Sequence, residues 1–304
     1  MNNSTKSSVQ TPPIPIQSPS LTAWLLLALL AIIWGSSFIL MKKSLVVFSP
    51  DQVGSMRIFA AFLFFLPVLI PQFKKIPKGK WLYFFATGML GSLLPAFLFS
   101  VAGKNLDSGI SGALNSTTPL FTLIVGGLFF QQTIQRRQIW GIIIGFCGSL
   151  ILIFANKSGG FSVNGYAFLV IAATVMYGFN LNIVKKYLNG VPSLIITACM
   201  LATTGPIAAA ILFSGDFLQR AATPNAILPL SYAIILGVVG TGIATVLFNK
   251  VLQMTTPVFS SSVTYLIPIV AVMWGILDGE TISIKHFLGM GIILFGVYLV
   301  NSKK

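Results

Sequence analysis

Long apolar runs separated by short polar stretches recur along the chain from residue 22 to its C-terminal end. A helix needs about 20 mainly apolar residues to cross the hydrocarbon core of a bilayer. With boundaries set at charged or turn-forming residues, the pattern predicts ten transmembrane helices and an all-α integral membrane protein. The predicted spans are residues 22–41, 52–71, 81–102, 108–130, 138–155, 163–184, 192–213, 227–248, 257–277 and 285–301.

Residues 1–21 differ from the rest of the chain because Ser, Thr, Pro and Gln dominate them. Such a composition cannot bury a core, so this segment is predicted to be a disordered tail. A cleaved signal peptide is not expected, since the polar stretch is long, carries one lysine and precedes an apolar run of spanning length. The loops between the later runs are short, so any activity must lie among the helices.

Composition and charge agree with a membrane protein. Of the 304 residues, 55% are hydrophobic and 8% are charged, whereas soluble domains carry about 25% charged residues. The net charge of +14 would suit a nucleic-acid-binding protein only if Lys and Arg clustered on one solvated face. They are spread over loops instead, 12 on one side of the predicted membrane and 6 on the other. The positive-inside rule therefore predicts a multi-pass inner (cytoplasmic) membrane protein with both termini, the tail included, in the cytoplasm, and no nucleic-acid partner.

The two halves of the chain resemble each other. WGSSF, which begins at Trp34, is followed by Lys42 and Lys43, and YGFNL, which begins at Tyr177, is followed by a second lysine pair at the same spacing. Further on, TTPLFTLIVGG in the first half parallels LIPIVAVMWG in the second. The halves, residues 22–157 and 158–304, are predicted to hold five helices each. Because five is odd, the second half enters from the opposite face, and such inverted repeats are typical of secondary transporters with a midplane substrate site.

These residues are also similar to those of a known family. WGSSF in helix 1, Pro119 and Pro268 in helices 4 and 9, and the C-terminal GETISIKHFLGMGIILFGVYL resemble the EamA family of the drug/metabolite transporter superfamily. The resemblance covers everything after residue 21. It implies ten helices, a central cavity open alternately to each side, and export of amino acids, related metabolites or amphiphilic drugs. The family usually has an acid at the end of both helix 4 and helix 9, whereas this chain has Gln132 in the first half and Glu280 in the second.

Pro119 and Pro268 are predicted to lie near the membrane midplane, where each frees a helix carbonyl group, that of Asn115 or Thr264. Freed backbone at this depth faces protein or a wet cavity. The polar and aromatic residues at this depth are therefore predicted to bind a substrate: Trp34, Ser37, Asn115, Ser116, Tyr177, Asn180 and Tyr265. A pocket of this kind suits an amphiphilic small molecule. The alternatives are hydroxyls that bond only their own helices, and aromatic rings that serve in packing or in the interfacial belt.

Arg57 is the only guanidinium within a predicted span, where a central charge costs roughly 2.5–3.5 kcal/mol on insertion scales. Two interpretations stay open, snorkelling to the outer interface and binding of a substrate carboxylate at the outer mouth of the cavity. All five acids are predicted at helix ends or in loops. Facilitated diffusion, or coupling through boundary groups, is thus as consistent with the sequence as proton antiport. Glu280 is expected to cap a helix or fix a loop.

No sequence feature indicates catalysis, and no cofactor or metal is expected. Cys147 and Cys199 have no second Cys or His at ligand spacing and are expected to be small buried hydrophobes. An intramembrane enzyme would need paired acids, a Ser/His arrangement or a metal cluster, so a receptor or scaffold is the stronger alternative to a transporter. The expected partners are a small-molecule substrate and lipids. Glycines in helices 5 and 10 are predicted to brace the bundle or to join two copies, so the protein is a monomer or a homodimer.

Overall fold

The computed structural model describes residues 20–72, 76–154, 165–280 and 283–301, and these ranges are almost entirely helical. All but the last two residues of the predicted tail lie outside them. The long helices are α1 (Leu21–Ser44), α2 (Pro50–Gln72), α3 (Trp81–Asn105), α4 (Ser108–Phe130), α5 (Arg136–Phe154), α6 (Ala167–Tyr187), α7 (Ser193–Phe213), α8 (Ile227–Met254), α9 (Pro257–Leu277) and α10 (Ile284–Asn301).

Eight of these helices, α1 to α4 and α6 to α9, are long and apolar enough to cross a membrane. Large apolar side chains point outward from the bundle, and more than half of the surface of each is exposed in Ile32, Phe129, Trp140, Ile227 and Leu277. A soluble monomer rarely exposes apolar surface on this scale. The chain is therefore a multi-pass membrane protein. Within the described residues α5 and α10 do not meet the same criterion, so a total of ten spans stays a prediction.

Helices α4 and α9 break where the prolines predict a kink. In α4 the first segment ends at Asn115 and the second begins at Thr118, one residue before Pro119. The carbonyl of Asn115 accepts a hydrogen bond of 2.7 Å from Thr118 Oγ1, within the same helix. In α9 a short turn ends at Tyr265, and the carbonyl of Thr264 accepts a bond of 2.7 Å from Ser116 Oγ of α4. One freed carbonyl is thus satisfied locally, and the other joins the two halves.

Two π-helical segments interrupt α3 and α8. They cover Met89–Leu93 in α3 and Leu236–Ile243 in α8, the third helix of each half. A π turn bonds residue i to i+5 and is found frequently at functional sites. Glycine at position 91 leaves room at the first segment, since a Cβ there would lie 2.6 Å from the side-chain amide of Asn180 in α6. The segment therefore lets α6 approach α3 closely.

Helices α5 and α10 pack along glycines. A Cβ added at Gly148 would lie 2.7 Å from the Ile293 nitrogen, and one added at Gly296 would lie 2.5 Å from the Gly145 nitrogen. The early part of α5 thus meets the late part of α10, which means that the two helices run antiparallel. Gly145, Gly148 and Gly296 thus allow the two helices to approach closely, whereas no atom lies within 4 Å of a Cβ added at Gly291. Bracing of the bundle and joining of two copies both stay predictions. Cys147 lies on the exposed face of α5 and not in the core, because α5 packs on one side only, so that expectation was wrong, whereas Cys199 is buried as expected.

Candidate substrate cavity

A cavity lies where α1, α2, α3, α4, α6, α8 and α9 meet. It contains about 970 Å³ free of protein atoms, part of it open to the surroundings. None of the described residues of α5, α7 or α10 is among those that line it. The cavity therefore sits between α1 to α4 of the first half and α6, α8 and α9 of the second half, with the pair α5 and α10 outside it.

Six of the eight predicted site residues line this cavity: Trp34, Ser37, Arg57, Asn115, Tyr177 and Asn180. Ser116 does not, because it is buried and its hydroxyl bonds the carbonyl of Thr264. Tyr265 does not either, since its ring packs against the apolar core. Both misplaced residues sit at a helix break, where the turn changes which side chains point inward.

Trp34 is held at the cavity by both halves of the chain. Its indole Nε1 donates a hydrogen bond of 2.8 Å to the carbonyl of Gly240, which lies in the π segment of α8. Its ring meets Phe248 edge-on, with 5.1 Å between centroids. The π segment therefore has a direct part in the wall, because it supplies the acceptor that fixes the indole. This placement replaces the interfacial-belt alternative.

Aromatic rings form the opposite wall. Tyr177 of α6 stacks on Phe99 of α3 at 6.2 Å between centroids and an interplanar angle of 23°. Phe99 in turn meets Phe38 of α1 at 5.8 Å. All three rings line the cavity. Offset and edge contacts of this type hold rings in place, so the wall is apolar and already ordered.

Arg57 projects from α2 into the cavity. Its Nε donates a hydrogen bond of 3.1 Å to Thr241 Oγ1 of α8. Among the described residues no acid lines the cavity, and no ion pair to Arg57 occurs within the same ranges. Of the two interpretations of this residue, the structure supports a position at the cavity and not at the outer interface.

Asn180 has an unsatisfied amide group in the same cavity. Its side chain is 8% exposed, and its Oδ1 has no hydrogen-bond partner. Most buried polar atoms in proteins are paired, so an exception calls for an explanation. Its place on the cavity wall supplies one, because a bound molecule would meet the amide there.

A stripe of polar residues on α8 also lines the cavity, and it was not predicted from the sequence. Thr241, Thr245 and Asn249 all line the cavity, and they follow one another at intervals of four residues. That spacing puts them on one face of the helix. Asn249 is buried and its Nδ2 donates to Thr197 Oγ1 at 3.1 Å. The signal for these residues in the sequence is the four-residue spacing of Thr241, Thr245 and Asn249.

Glu280 lies away from the cavity, at the turn after α9. Its Oε1 accepts hydrogen bonds from Lys42 Nζ at 2.8 Å and from the backbone nitrogen of Ser108 at 3.1 Å. A carboxylate at a helix N-terminus satisfies free N–H groups and interacts favourably with the helix dipole. The expected capping role is observed at the start of α4.

Gln132 occupies a turn that matches the turn of Glu280. Gln131 and Gly279, the residues before them, both have positive φ, 57° and 82°. Gln132 N bonds the carbonyl of Gly126 at 3.0 Å, and Glu280 N bonds the carbonyl of Gly275 at 2.9 Å. The predicted equivalence of Gln132 and Glu280 therefore holds in the geometry, with a neutral side chain in one half and a charged one in the other.

The model of the EamA-like transporter family matches the chain twice, over residues 21–154 and 164–302. The chain belongs to this family. The two matches together cover the helical part of the chain and leave out most of the N-terminal tail.

Proteins of known sequence agree with this assignment. The chain is 30% identical over 282 residues to the uncharacterized inner membrane transporter YedA of Escherichia coli K12, with 90% of this chain and 89% of the relative covered. It is 24% identical over 286 residues to an uncharacterized transporter of Archaeoglobus fulgidus, with 92% and 99% covered. A probable amino-acid metabolite efflux pump of Salmonella typhimurium is 24% identical over 287 residues, with 89% and 92% covered.

A solved crystal structure has the same fold. It superposes with a TM-score of 0.66 at 16% sequence identity and covers 92% of this chain and 96% of its own. At this level of identity the likeness concerns the fold alone. It extends over nearly the whole of both chains, so the helical arrangement described above is that of a known architecture.

Proposed function

We propose that this protein is a secondary transporter that exports a small metabolite across the inner membrane by alternating access through the central cavity. One observation carries the proposal: a cavity lies between the two halves, and polar side chains of both halves line it. Membership of the EamA-like transporter family supports it. The location follows the Escherichia coli relative, which is named as an inner membrane transporter.

The packing of matching helices supports two inverted halves. In such a repeat, equivalent helices run in opposite directions through the membrane. Helices α5 and α10 are antiparallel along their glycines, as described above. Helices α2 and α7 are antiparallel too, since Gln52 near the start of α2 bonds Asp216 just after α7, while Phe62, later in α2, packs over Gly205, earlier in α7. We infer ten transmembrane spans on this basis, in which α5 and α10 cross the membrane as an antiparallel pair.

Thiol labelling tests the proposed orientation of the chain in the membrane. Lys43→Cys and Lys186→Cys, each in a chain with Cys147 and Cys199 replaced by Ala, report the ends of α1 and α6. With both termini in the cytoplasm, a membrane-impermeant maleimide labels position 43 in intact cells and position 186 only after permeabilisation. Labelling of both positions from the same side contradicts the inverted repeat.

The substrate is proposed from the relatives. The Salmonella typhimurium relative is named a probable amino-acid metabolite efflux pump, and we propose a related metabolite here. No acid of the described residues lines the cavity, and a proton-coupled carrier commonly keeps a carboxylate deep in the membrane. We therefore favour two modes of transport over proton antiport through a buried carboxylate. One is facilitated diffusion down the gradient of the substrate, and the other is coupling through groups at the helix ends.

Counterflow in proteoliposomes tests transport directly. Vesicles loaded with an unlabelled amino acid or related metabolite should accumulate the labelled compound transiently, and a panel of compounds identifies which one. Asn115→Leu, which fills and depolarises the cavity, should abolish counterflow, whereas Gly291→Ala on the open face of α10 should not. Binding of a compound without counterflow of any member of the panel would favour a receptor and contradict the proposal.

A further inference from the structure

We infer that the cavity selects monovalent organic anions with an aromatic or other apolar body, that Arg57 binds their carboxylate, and that organic cations are rejected. The inference rests on the proposed transport function, whose substrate class it names. It distinguishes amphiphilic acids from amphiphilic bases as substrates, which family membership alone does not.

The charges around the cavity point to an anion. Arg57 is the one charged residue among the described residues that line it. Three acids of the described residues are engaged in ion pairs of their own, since Asp278 and Glu280 pair with Lys42, and Asp216 pairs with Arg220. A charge in a low-dielectric site needs a partner. Because the described residues supply none, an anionic ligand is the partner that the site can accept.

The orientation of the guanidinium suits a carboxylate. Nε is engaged by Thr241 Oγ1, which fixes the plane of the group. Among the described residues no hydrogen bond to Nη1 or Nη2 occurs, so these donors remain for a ligand. The guanidinium fork matches the two oxygens of a carboxylate, and charge-assisted bonds of this type are the strong ones. A single guanidinium neutralises one negative charge, which sets the preference for monovalent anions.

A second, independent feature indicates a ligand in the same place. The amide of Asn180 is more than nine-tenths buried, lines the cavity and has an unpartnered Oδ1. The amide is neutral, and its Oδ1 can accept a hydrogen bond from a donor group of the ligand. The remaining walls include the rings of Trp34, Phe99 and Tyr177, which suit an aromatic or apolar body.

The same arrangement disfavours cations. An ammonium in the cavity would lie beside Arg57 with no carboxylate of the described residues to balance either charge. Like charges repel strongly where water is scarce. Rings can attract a cation through their faces, but here they are already packed against one another, as Tyr177 is on Phe99. An amphiphilic base should therefore bind far more weakly than the acid of the same shape.

Three probes of one shape test the inference: 3-phenylpropionate, 3-phenylpropanamide and 3-phenylpropylamine, with calorimetry on purified protein in nanodiscs at pH 7. The anion should bind about 10- to 100-fold more tightly than the neutral amide, the range that a charge-assisted hydrogen bond gives. The amine should not bind measurably. Arg57→Gln should reduce the affinity for the anion by a similar factor and leave the affinity for the amide unchanged. Lys104→Gln, which removes an exposed cation outside the cavity, should change neither.

Three outcomes overturn the inference. The amine binds as tightly as the anion, the anion does not bind at all, or the preference for the anion survives in Arg57→Gln. Should that variant not fold, Arg57→Lys keeps the charge but loses the fork, and its anion affinity should fall while the order of the three probes is kept; an unchanged affinity overturns the role of the fork.

Flux measurements separate this inference from the proposed function. Binding of 3-phenylpropionate without counterflow of any compound means that the site is an anion site in a protein that does not transport. Counterflow of 3-phenylpropylamine means that the protein is a transporter and the inference is wrong. The two proposals thus fail on different readouts.

Discussion

Glu280 and Lys42 are in contact, with 2.8 Å between Oε1 and Nζ, at the end of the bundle where α1 and α9 finish. The Glu280 side chain is 2% exposed and the Lys42 side chain is 35% exposed. Because the same carboxylate oxygen accepts from Ser108 N, it joins α1, the start of α4 and the turn after α9. At the matching turn of the other half, Gln132 Nε2 bonds Asn182 Oδ1 at 2.8 Å. The two matching turns are thus fastened by different chemistry, an ion pair at one and neutral amides at the other.

Neutralising Glu280 should loosen the start of α4. In Glu280→Gln the side chain keeps an oxygen for Ser108 N but loses the charge that faces Lys42, so the free energy of unfolding should fall by about 1–2 kcal/mol, a value reduced because Lys42 is one-third exposed. Thermal unfolding in detergent measures this, with the exposed Asp51→Asn as control. Normal exchange of substrate combined with complete loss of response to an imposed pH gradient would show that Glu280 carries protons, contrary to this structural role.

Acid should weaken the same cluster through Asp278. Hydrogen bonds from Lys42 and Lys43 hold the pKa of the Asp278 carboxyl below its usual value. A lowered pKa in the folded state adds stability above the unfolded-state pKa of about 4, and this stability is lost as pH falls through the lower folded value. The difference in melting temperature between the unmodified protein and Asp278→Asn should therefore be full at pH 6 and shrink towards pH 3. A difference that stays constant with pH would contradict the ion-pair account.

The glycine contacts between α5 and α10 should not tolerate a side chain. Ala at position 148 or 296 would place Cβ against backbone atoms of the partner helix, 2.7 Å from Ile293 N or 2.5 Å from Gly145 N. Overpacking of this type costs about 1–3 kcal/mol. Gly291→Ala on α10 is the matched control, since no atom lies within 4 Å of its added Cβ, and it should be neutral or slightly stabilising. Equal melting temperatures for all three variants would show that the seam is looser than described.

Trp34 should matter for binding where Trp274 does not. Both indoles donate one hydrogen bond, Trp34 to the Gly240 carbonyl at 2.8 Å and Trp274 to Ser36 Oγ at 2.9 Å. Replacement by Phe removes about 0.5–1.5 kcal/mol of stability in either case. Only Trp34 lines the cavity, so Trp34→Phe should weaken binding of 3-phenylpropionate several-fold and Trp274→Phe should leave it unchanged. Equal effects on affinity would remove Trp34 from the site.

Much of the helical frame could be predicted from the sequence. Apolar runs predict ten spans, and in the described residues eight of them are helices long and apolar enough to cross a membrane, because lipid imposes both a minimum length and an internally bonded backbone. The breaks at Pro119 and Pro268 follow from chemistry local to each proline. The correspondence between Gln132 and Glu280 could be predicted from their equal distance from matching residues in the two halves, since a repeated turn repeats its residues. These features depend on neighbours a few positions away in the chain.

Other features depend on contacts between distant parts of the chain. Glu280 binds Ser108, 172 residues away, and nothing in the local sequence tells which helix a carboxylate will cap. At the π segment Met89–Leu93, Gly91 lies close to the side chain of Asn180 in α6. Intrinsic helix propensities do not encode such a contact between distant residues. Tyr265 was misplaced for a related reason, since a 3-10 turn changes the direction in which its ring points.

The seam between α5 and α10 obeys the rule for an interface between two identical subunits. In an isologous contact, residue i of one copy touches residue j of the other, and j touches i in return. Gly141 and Gly148 of α5 correspond in the sequence to Gly289 and Gly296 of α10. Gly148 contacts Gly289, and Gly296 contacts Gly141, so the two contacts are the same pair of positions with the helices exchanged. Two separate copies of a single five-helix unit, inserted in opposite directions, would close with this same contact. The covalent chain holds together a pairing that symmetry alone would produce.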